Sequence, residues 1–468
     1  MRVLLAAQFL FTAVSSLAIR AVTISDELNA LLTDSDATVN LRARWSTYNA
    51  PDPAVVVNVR SECDVAAVVK YCTDNDLPFL AQNGGNGWAN TFNLGQNGVL
   101  INLAGLNAVT VSEDKTEATI GGGAVINETI QAANAAGVLV LTGNCNCVGA
   151  IGAMLGGGFG NLMGEVGQGV DTILSMRVVV ASGDIIDVSP DCNPDLFWAM
   201  RGAGPNFGIV TSATVRARPA TDEERTAFMT TIIFTGDKVA EVAQAVEDLP
   251  LTPEQVVFLI LANPGPPLNA PAVIIQGFLH EGTEEDGREA FAPIYDLGPV
   301  FNVSSVAPYT GWNAPNDNFC SRGVRRPAYS AAIDGMHPEN WEEIFELFSD
   351  FQAKAPTTSI LIERYNMAKS RRAPEWSASF QQELRELFAQ AIIIPSYNDS
   401  SLDAEANVFG KKVRDIFRFT DENPTYINFA HGDESLEEIF GNSLDRLREV
   451  KAEWDPTDVF NQWFNIDA

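Results

Sequence analysis

The stretch Gly143-Asn-Cys-Asn-Cys-Val-Gly149, continued by Gly152 and by Leu155-Gly-Gly-Gly-Phe-Gly160, decides how this chain is read. Glycine at that density lets backbone N–H groups approach an anion or a flat ring with no Cβ in the way. A single cluster is equally well a tight structural bend, so a second signal is needed. It stands upstream, in Ala81-Gln-Asn-Gly-Gly-Asn-Gly-Trp88, after a strand-like run. Two such loops can cradle an extended dinucleotide from opposite sides. Neither opens a helix with Gly-x-Gly-x-x-Gly and neither carries a Walker lysine, which leaves an FAD site of a non-Rossmann type.

Around the two loops, residues 44–219 are rich in glycine and in short Val/Ile/Leu runs, and they read as one α+β unit of short strands with few helices. Strand-like runs fall at Ala54–Val59, Val99–Leu103, Ala118–Ile120, Val138–Leu141, Ile173–Ala181 and Ile209–Arg216. Ser61 caps a helix whose apolar face is Val65, Val68, Val69 and Cys72. From about Thr221 to Thr425 the pattern changes to strands (Thr230–Phe234, Val256–Leu261, Val273–Leu279, Ile360–Ile362) alternating with acidic amphipathic helices such as Trp341–Ala353. Between Tyr295 and Pro327 a Pro/Asn/Gly-rich stretch with little periodicity reads as a long loop or lid. The tail from Tyr426 holds one helix, Ser435–Lys451, stopped before Asp455-Pro456.

The chain has 468 residues, 46% hydrophobic and 19% charged, enough for two or three ordinary cores. Sixty acidic against 30 basic side chains leave a formal charge of −30, a field that repels nucleic acid and anionic lipid. Residues 1–18 combine Arg2, an apolar run from Val3 to Val14 and small residues at Ser16 and Ala18, the layout of a signal peptide cleaved near Ala18. No later segment reaches the roughly 18 apolar residues of a membrane helix. A secreted or vesicular protein is expected, with acceptor sequons at Asn127, Asn302 and Asn398. Six cysteines (63, 72, 145, 147, 192 and 320) fix no pairing, although Cys63 and Cys72 on one helix would lie roughly 13 Å apart, too far to bridge.

The order of loop 81–88, the 143–160 segment, Asn193-Pro-Asp-Leu-Phe-Trp-Ala-Met-Arg-Gly-Ala-Gly-Pro-Asn-Phe-Gly-Ile-Val-Thr211, Tyr426-Ile-Asn428 and Trp454-Asp-Pro456 closely resembles the berberine bridge enzyme-like flavoproteins of the vanillyl-alcohol oxidase/PCMH superfamily, in particular their fungal secondary-metabolism members. The resemblance runs from about Trp45 to Ile466. It implies an α+β protein with a two-subdomain PCMH-type FAD-binding domain (45–219), a substrate domain (220–425) whose antiparallel sheet, flanked by helices, roofs the isoalloxazine ring, and a C-terminal segment (426–468) returning to the FAD domain. Residues 19–44 form an N-terminal segment. By motif position, Gln82, Asn83, Gly84, Gly85, Asn86 and Gly87 lie at the pyrophosphate. Val148, Gly149, Gly152, Gly156, Gly157, Gly158, Phe159 and Gly160 run beside ribityl and ring. Ile209 and Val210 offer backbone groups, and Tyr426 and Asn428 approach the ring.

Many members tether FAD twice, through a histidine in the first loop and a cysteine in the second. Here Gln82-Asn-Gly-Gly-Asn86 stands where the family commonly has Arg-Ser-Gly-Gly-His, and an amide nitrogen cannot form the histidyl bond. Cys145 falls on the cysteinyl position, so a single link is favoured. Competing readings make Cys145 a small buried side chain or half of a Cys145/Cys147 redox pair, or give the link to Cys147. Without the histidyl bond the flavin is a weaker oxidant.

Acid/base groups are few. His280, His337 and His431 have no metal-ligand spacing, no metal is expected, and each reads as a surface or loop residue. In Ser359-Ile-Leu-Ile-Glu-Arg-Tyr365, period-two alternation puts Glu363 and Tyr365 on one face and Ile362 and Arg364 on the other. The resemblance places a base of this strand under the flavin roof. The competing reading is an exposed face with Glu363 paired to Arg364, Arg371 or Arg372. These features together lead to an FAD-dependent oxidase of a small organic natural-product intermediate, with Glu363, Tyr365 or Tyr426 as acid/base groups and O₂ as electron acceptor. The rivals are a non-redox isomerase or cyclase on the same scaffold and a carbohydrate oxidase.

Overall fold

The computed structural model describes residues 20–38, 43–374, 376–418 and 423–467. The leader reading of 1–18, with its cleavage near Ala18, lies outside them. No helix among the described residues is long and apolar enough to cross a membrane.

The N-terminal layer is a four-stranded sheet in which Val55–Asn58, Val99–Asn102 and Phe79–Gln82 run parallel, with Asp36–Thr38 antiparallel at one edge. Helix Glu62–Asp74 covers it, started by Ser61, whose hydroxyl accepts from the Asp64 N–H at 3.1 Å. Val65, Val68, Val69 and Cys72 are buried there against Val55, Val57, Val99 and Ile101. Cys63 and Cys72 stay unbridged. The first glycine loop leaves the carboxyl end of Phe79–Gln82, the end of a parallel strand where ligands collect in open α/β sheets. The second layer is a five-stranded antiparallel sheet, in the order Val109–Val111, Glu117–Gly121, Ile209–Arg216, Ile173–Val179, Ile185–Val188. The second glycine loop runs into helix Ala150–Leu155 on that layer.

The third layer is a seven-stranded, wholly antiparallel sheet ordered Phe301–Pro308, Thr226–Thr235, Ala272–His280, Gln255–Ala262, Ser359–Tyr365, Ala389–Ile394, Tyr329–Ile333. Both faces of its middle are buried, which is why these strands read as unbroken apolar runs. Val257, Leu259, Leu261, Ile360 and Ile362 face a core shared with helices Val239–Asp248, Trp341–Gln352 and Asp403–Phe417. Val256, Phe258, Ile260, Leu361 and Tyr365 face the first two layers.

Two sequence expectations are corrected here. The 295–327 stretch is not one long loop: Phe301–Pro308 is the edge strand of the large sheet, followed by 3₁₀ turns at Tyr309–Gly311 and Ala314–Cys320. Its run Phe-Asn-Val-Ser-Ser-Val-Ala-Pro has no readable period because neither face is buried: six of its eight residues are exposed, Phe301, Val303 and Val306 among them. The tail helix is two helices, Leu436–Phe440 and Leu444–Trp454, because Gly441 turns out of helical geometry at φ +50°.

The tail is fastened to the first two layers through Asn206. The side chain of Asn206 donates to Trp463 O (3.1 Å) and accepts from the Ile466 N–H (3.2 Å). Its carbonyl accepts from Lys451 Nζ (3.0 Å), and the wholly buried ammonium also meets Asp455 Oδ2 at 2.7 Å and Phe460 O at 3.0 Å. Every donor of that ammonium is used, as burial of a charge demands.

Candidate active site at the junction of the three layers

The two glycine loops interlock. A Cβ on Gly84 would lie 2.7 Å from Cys147 O and 2.8 Å from Gly149 N, so only glycine lets them pack. Asn86 joins them as well, its amide nitrogen donating to Gly84 O (3.0 Å) and Cys147 O (3.1 Å) in the favoured amide orientation. Among the described residues, the N–H groups of Gly84, Gly85 and Asn86 donate to no backbone or side-chain acceptor, although both glycines are buried. Buried, unspent donors in a row are what a pyrophosphate requires. Cations surround them: buried Arg44 donates to Gln82 Oε1 and to Gly87 O (2.9 Å), and Arg322 donates to Gly84 O (2.6 Å). Burial first, then the like charge of Arg322, lowers Arg44 to about 10. In a chain with net charge −30 these arginines make the loop locally positive. The residues present therefore fit FAD.

The later glycines make room for the protein's own groups. Space at Gly156 is taken by Asn428, at Gly157 (φ +144°) by Phe380 and Tyr426, and at Gly158 by Gly169; only Gly152 faces open space. Their missing side chains admit the protein's own rings and amides. Phe159 lies edge-on to Tyr426, with centroids 4.8 Å apart, and Tyr426 Oη accepts from the Gly158 N–H (3.0 Å) and Asn428 Nδ2 (2.7 Å). Val148 is half-buried; Ile209 and Val210 are buried at the start of their strand.

Across from these groups, Ser359–Tyr365 presents Glu363 and Tyr365 side by side. Tyr365 Oη donates to Glu363 Oε2 (2.8 Å) and accepts from Asn144 Nδ2 (2.7 Å), while Asn144 Oδ1 accepts from the Asn161 N–H (3.1 Å). Glu363 retains some accessible surface, but the protein packed around its carboxylate desolvates it. That burial raises it to about 7 against the opposing pull of the Tyr365 hydrogen bond. Burial, then the neighbouring carboxylate, holds Tyr365 well above the usual phenol range. The ion-pair reading of Glu363 is not what the structure contains: Arg364 turns to Val246 O and Leu249 O, and Arg371 pairs with Glu386. Two histidines also differ from expectation. His280 is buried against Glu165 (Nδ1 to Oε1, 2.5 Å), and His431 is buried, stacked on Tyr329 and bonded to Ala328 O. Both neighbours come from distant segments that no local pattern reveals.

Strand register extends the site. Glu363 lies opposite Phe258, then Gln276, then Thr231; Tyr365 lies opposite Val256, then Phe278, then Met229. Their partners in these two rows, Met229, Thr231, Val256, Phe258, Gln276 and Phe278, line a cavity of about 270 Å³ that is also walled by Trp312 and Asn316; Glu363 and Tyr365 end the rows beside it and do not line it. None of its lining side chains is charged. Asn316 donates to Asn144 O (3.1 Å), and its Oδ1 is buried without a donor.

Residues 53–189 match the FAD binding domain family, and residues 425–467 match the berberine and berberine like family. The FAD-linked oxidoreductase hasG of Aspergillus fumigatus is 32% identical over 455 residues, spanning 92% of this chain and 95% of the relative. The chain belongs to the berberine bridge enzyme-like FAD-linked oxidoreductases. A second member, OXR1 of Pyricularia oryzae, is 31% identical over 90% of this chain and 85% of its own. Among solved structures, glucooligosaccharide oxidase from Acremonium strictum aligns with a TM-score of 0.80 at 20% identity (94% and 99% of the two chains), and 6-hydroxy-D-nicotine oxidase from Arthrobacter nicotinovorans with 0.78 at 22% (93% and 98%). At such identities the likeness is one of fold, the PCMH-type FAD oxidase fold. Sequence reasoning about this oxidoreductase missed Arg44, Asn144, Asn316 and Arg322. Asn144 sits inside the motif quoted first and was passed over among its glycines and cysteines; Arg44 adjoins the first domain's starting residue.

Proposed function

We propose that this FAD-linked oxidoreductase is an O₂-dependent oxidase that dehydrogenates a neutral, largely apolar organic molecule, an intermediate of natural-product chemistry. The observation that carries the reading is the enclosed Tyr365–Glu363 pair at the edge of an uncharged, aromatic-lined cavity. Bound FAD supplies the hydride acceptor and passes the electrons to O₂ as H₂O₂. The N–H groups of Gly84, Gly85 and Asn86, with Arg44 and Arg322 behind them, hold its pyrophosphate; Cys145 is the single covalent link, with none at Asn86. Tyr365 Oη takes the substrate proton while its own proton moves to Glu363 Oε2. Tyr365 alone is too weak an acid to remain ionised, and a carboxylate near neutrality is the partner that lets it act as a base. Asn144 Nδ2 holds the phenol oxygen as charge develops there. Tyr426, pinned by Gly158 and Asn428, positions Phe159. Phe258, Phe278 and Trp312 bind the apolar body of the substrate, and Asn316 Oδ1 accepts from one hydroxyl or N–H of it.

Secretion with glycans at Asn127, Asn302 and Asn398 belongs to the same proposal; all three asparagines are exposed. The test is anaerobic bleaching of the flavin with a panel of phenolic, prenylated and alcohol-bearing apolar compounds beside neutral oligosaccharides. Bleaching by the apolar set supports the proposal. Bleaching by oligosaccharides alone would make it a carbohydrate oxidase, and turnover of an apolar compound without bleaching would make it an isomerase or cyclase.

A further inference from the structure

Three of the six cysteines meet beside the second glycine loop. Cys147 and Cys320 form a disulfide with Cα atoms 5.7 Å apart, and Cys145 Sγ lies 3.6 Å from Cys320 Sγ and 3.7 Å from Cys147 Sγ. The other three, Cys63, Cys72 and Cys192, are free thiols, two exposed and one buried in the N-terminal layer. Cys320 ends the 3₁₀ turn Ala314–Cys320, the turn that brings Asn316 to the cavity wall. The disulfide therefore fastens the cavity wall to the loop expected beside the flavin. Sulfurs this close can exchange once Cys145 Sγ swings from its side-on position, nearly equidistant from both bonded sulfurs, onto the extension of the Cys147–Cys320 bond, the line along which a thiolate attacks.

We propose that Cys145, Cys147 and Cys320 form an internal exchange site, in which Cys145 attacks Cys320 to give a Cys145–Cys320 disulfide and release Cys147. One S–S bond forms and one breaks. The thiol proton of Cys145 ends on Cys147, no electrons enter or leave, and no outside oxidant or reductant takes part. Both isomers keep the cavity wall fastened, because Cys320 is bridged in each. What changes is the sulfur left free beside the flavin loop: Cys145 in one isomer, Cys147 in the other. Resting on the cysteinyl-link reading above, flavin attachment to Cys145 removes the attacking thiol and traps the Cys147–Cys320 isomer. The exchange itself does not depend on that reading.

Ionisation of Cys145 sets the rate. Burial pushes its thiol up to about 11; the Cys147 N–H opposes this, Asp317 and Glu363 add to it, and Arg322 favours the thiolate. Exchange is thus slow near neutrality and accelerates about tenfold per pH unit up to that value.

The test is disulfide mapping of the full chain by acid-quenched, alkylated, non-reducing digestion and mass spectrometry. Cys147→Ser is expected to contain a Cys145–Cys320 peptide, and Cys145→Ser only Cys147–Cys320. In flavin-free wild-type protein, iodoacetamide is expected to label Cys147 as well as Cys145, with Cys147 labelling about tenfold faster at pH 9 than at pH 8. Free Cys145 and Cys320 in folded Cys147→Ser, or label confined to Cys145 in the wild type at every pH, would overturn the proposal. Should Cys147→Ser fail to fold, the wild-type labelling decides alone. Flavin mass on the Cys145 peptide is read in the same digest, so a missing tether is distinguished from missing exchange.

Discussion

Glu363→Gln should make the protein slower and more stable at once. In the fold the carboxyl titrates near 7 instead of its ordinary 4.5, so the ionised form carries roughly 3 kcal/mol of cost from burial. The sign follows from proton counts. Below the ordinary value both folded and unfolded states hold the proton. Between the two values the unfolded chain releases it first, so stability falls as pH rises, and above about 7 the loss is complete. Glutamine has no charge to desolvate, and its oxygen still accepts from Tyr365. The variant should lose this pH dependence and gain up to ~3 kcal/mol at pH 8, less what relaxation of the site already recovers. Its chemistry should move the other way. With no acceptor for the Tyr365 proton, flavin reduction should slow by about 10²–10⁴-fold, and the tenfold-per-unit fall of the wild-type rate below pH 7 should disappear. Anaerobic stopped-flow across pH 5–9 with FAD content matched, beside urea unfolding at pH 5 and 8, measures both. Reduction within about threefold of wild type with the acid limb intact would refute the assignment of Glu363 as proton acceptor, and a variant less stable at pH 8 would refute the desolvation argument.

Asn144→Ala removes the amide that holds Tyr365 Oη and should slow flavin reduction by about tenfold, against a far larger loss in Tyr365→Phe, both read by stopped-flow. Lys451→Met leaves the fully buried Asp455 without its cation and should cost about 3–5 kcal/mol in urea unfolding, with only part regained when Asp455 is also made apolar, because Asp455 accepts from the Val459 and Phe460 N–H groups as well. Burial opposes the charge on His280, but the Glu165 carboxylate outweighs it and raises the histidine above its ordinary value. The stability this supplies is full below about pH 6.5 and is lost as pH rises through the folded-state value, so the melting temperature should fall more from pH 5.5 to 8.5 in the wild type than in Glu165→Gln. Gly157→Val must fit a side chain at φ +144° with Phe380 2.6 Å and Tyr426 2.7 Å away, and should abolish flavin retention as read from visible absorbance of the purified protein.

What was legible in the sequence is what has a local period or a local steric demand. Alternation phased Ser359–Tyr365, so Glu363 and Tyr365 could be put on one face before their partners were known, and glycine density marked both loops. The remainder depends on which distant residue arrives. Asn144 reaches Tyr365 across 221 positions and Cys147 reaches Cys320 across 173, and neither separation leaves a trace in the residues between. The cavity shows where the boundary lies. In each strand under it, residues two apart share a face by backbone geometry alone: Met229 with Thr231, Val256 with Phe258, and Gln276 with Phe278. Alternation gives the face but not the register, and a shift of two residues would keep every side chain on its face while moving Phe258 away from Glu363. Register is set instead by how each strand enters and leaves the sheet, here across insertions as long as the one from Ala262 to Ser359 that separates neighbours in space. The Glu363–Tyr365 pair proposed as acid/base group was therefore readable from one strand, whereas the cavity proposed for substrate, whose register runs over four strands, appears only when the sheet is assembled.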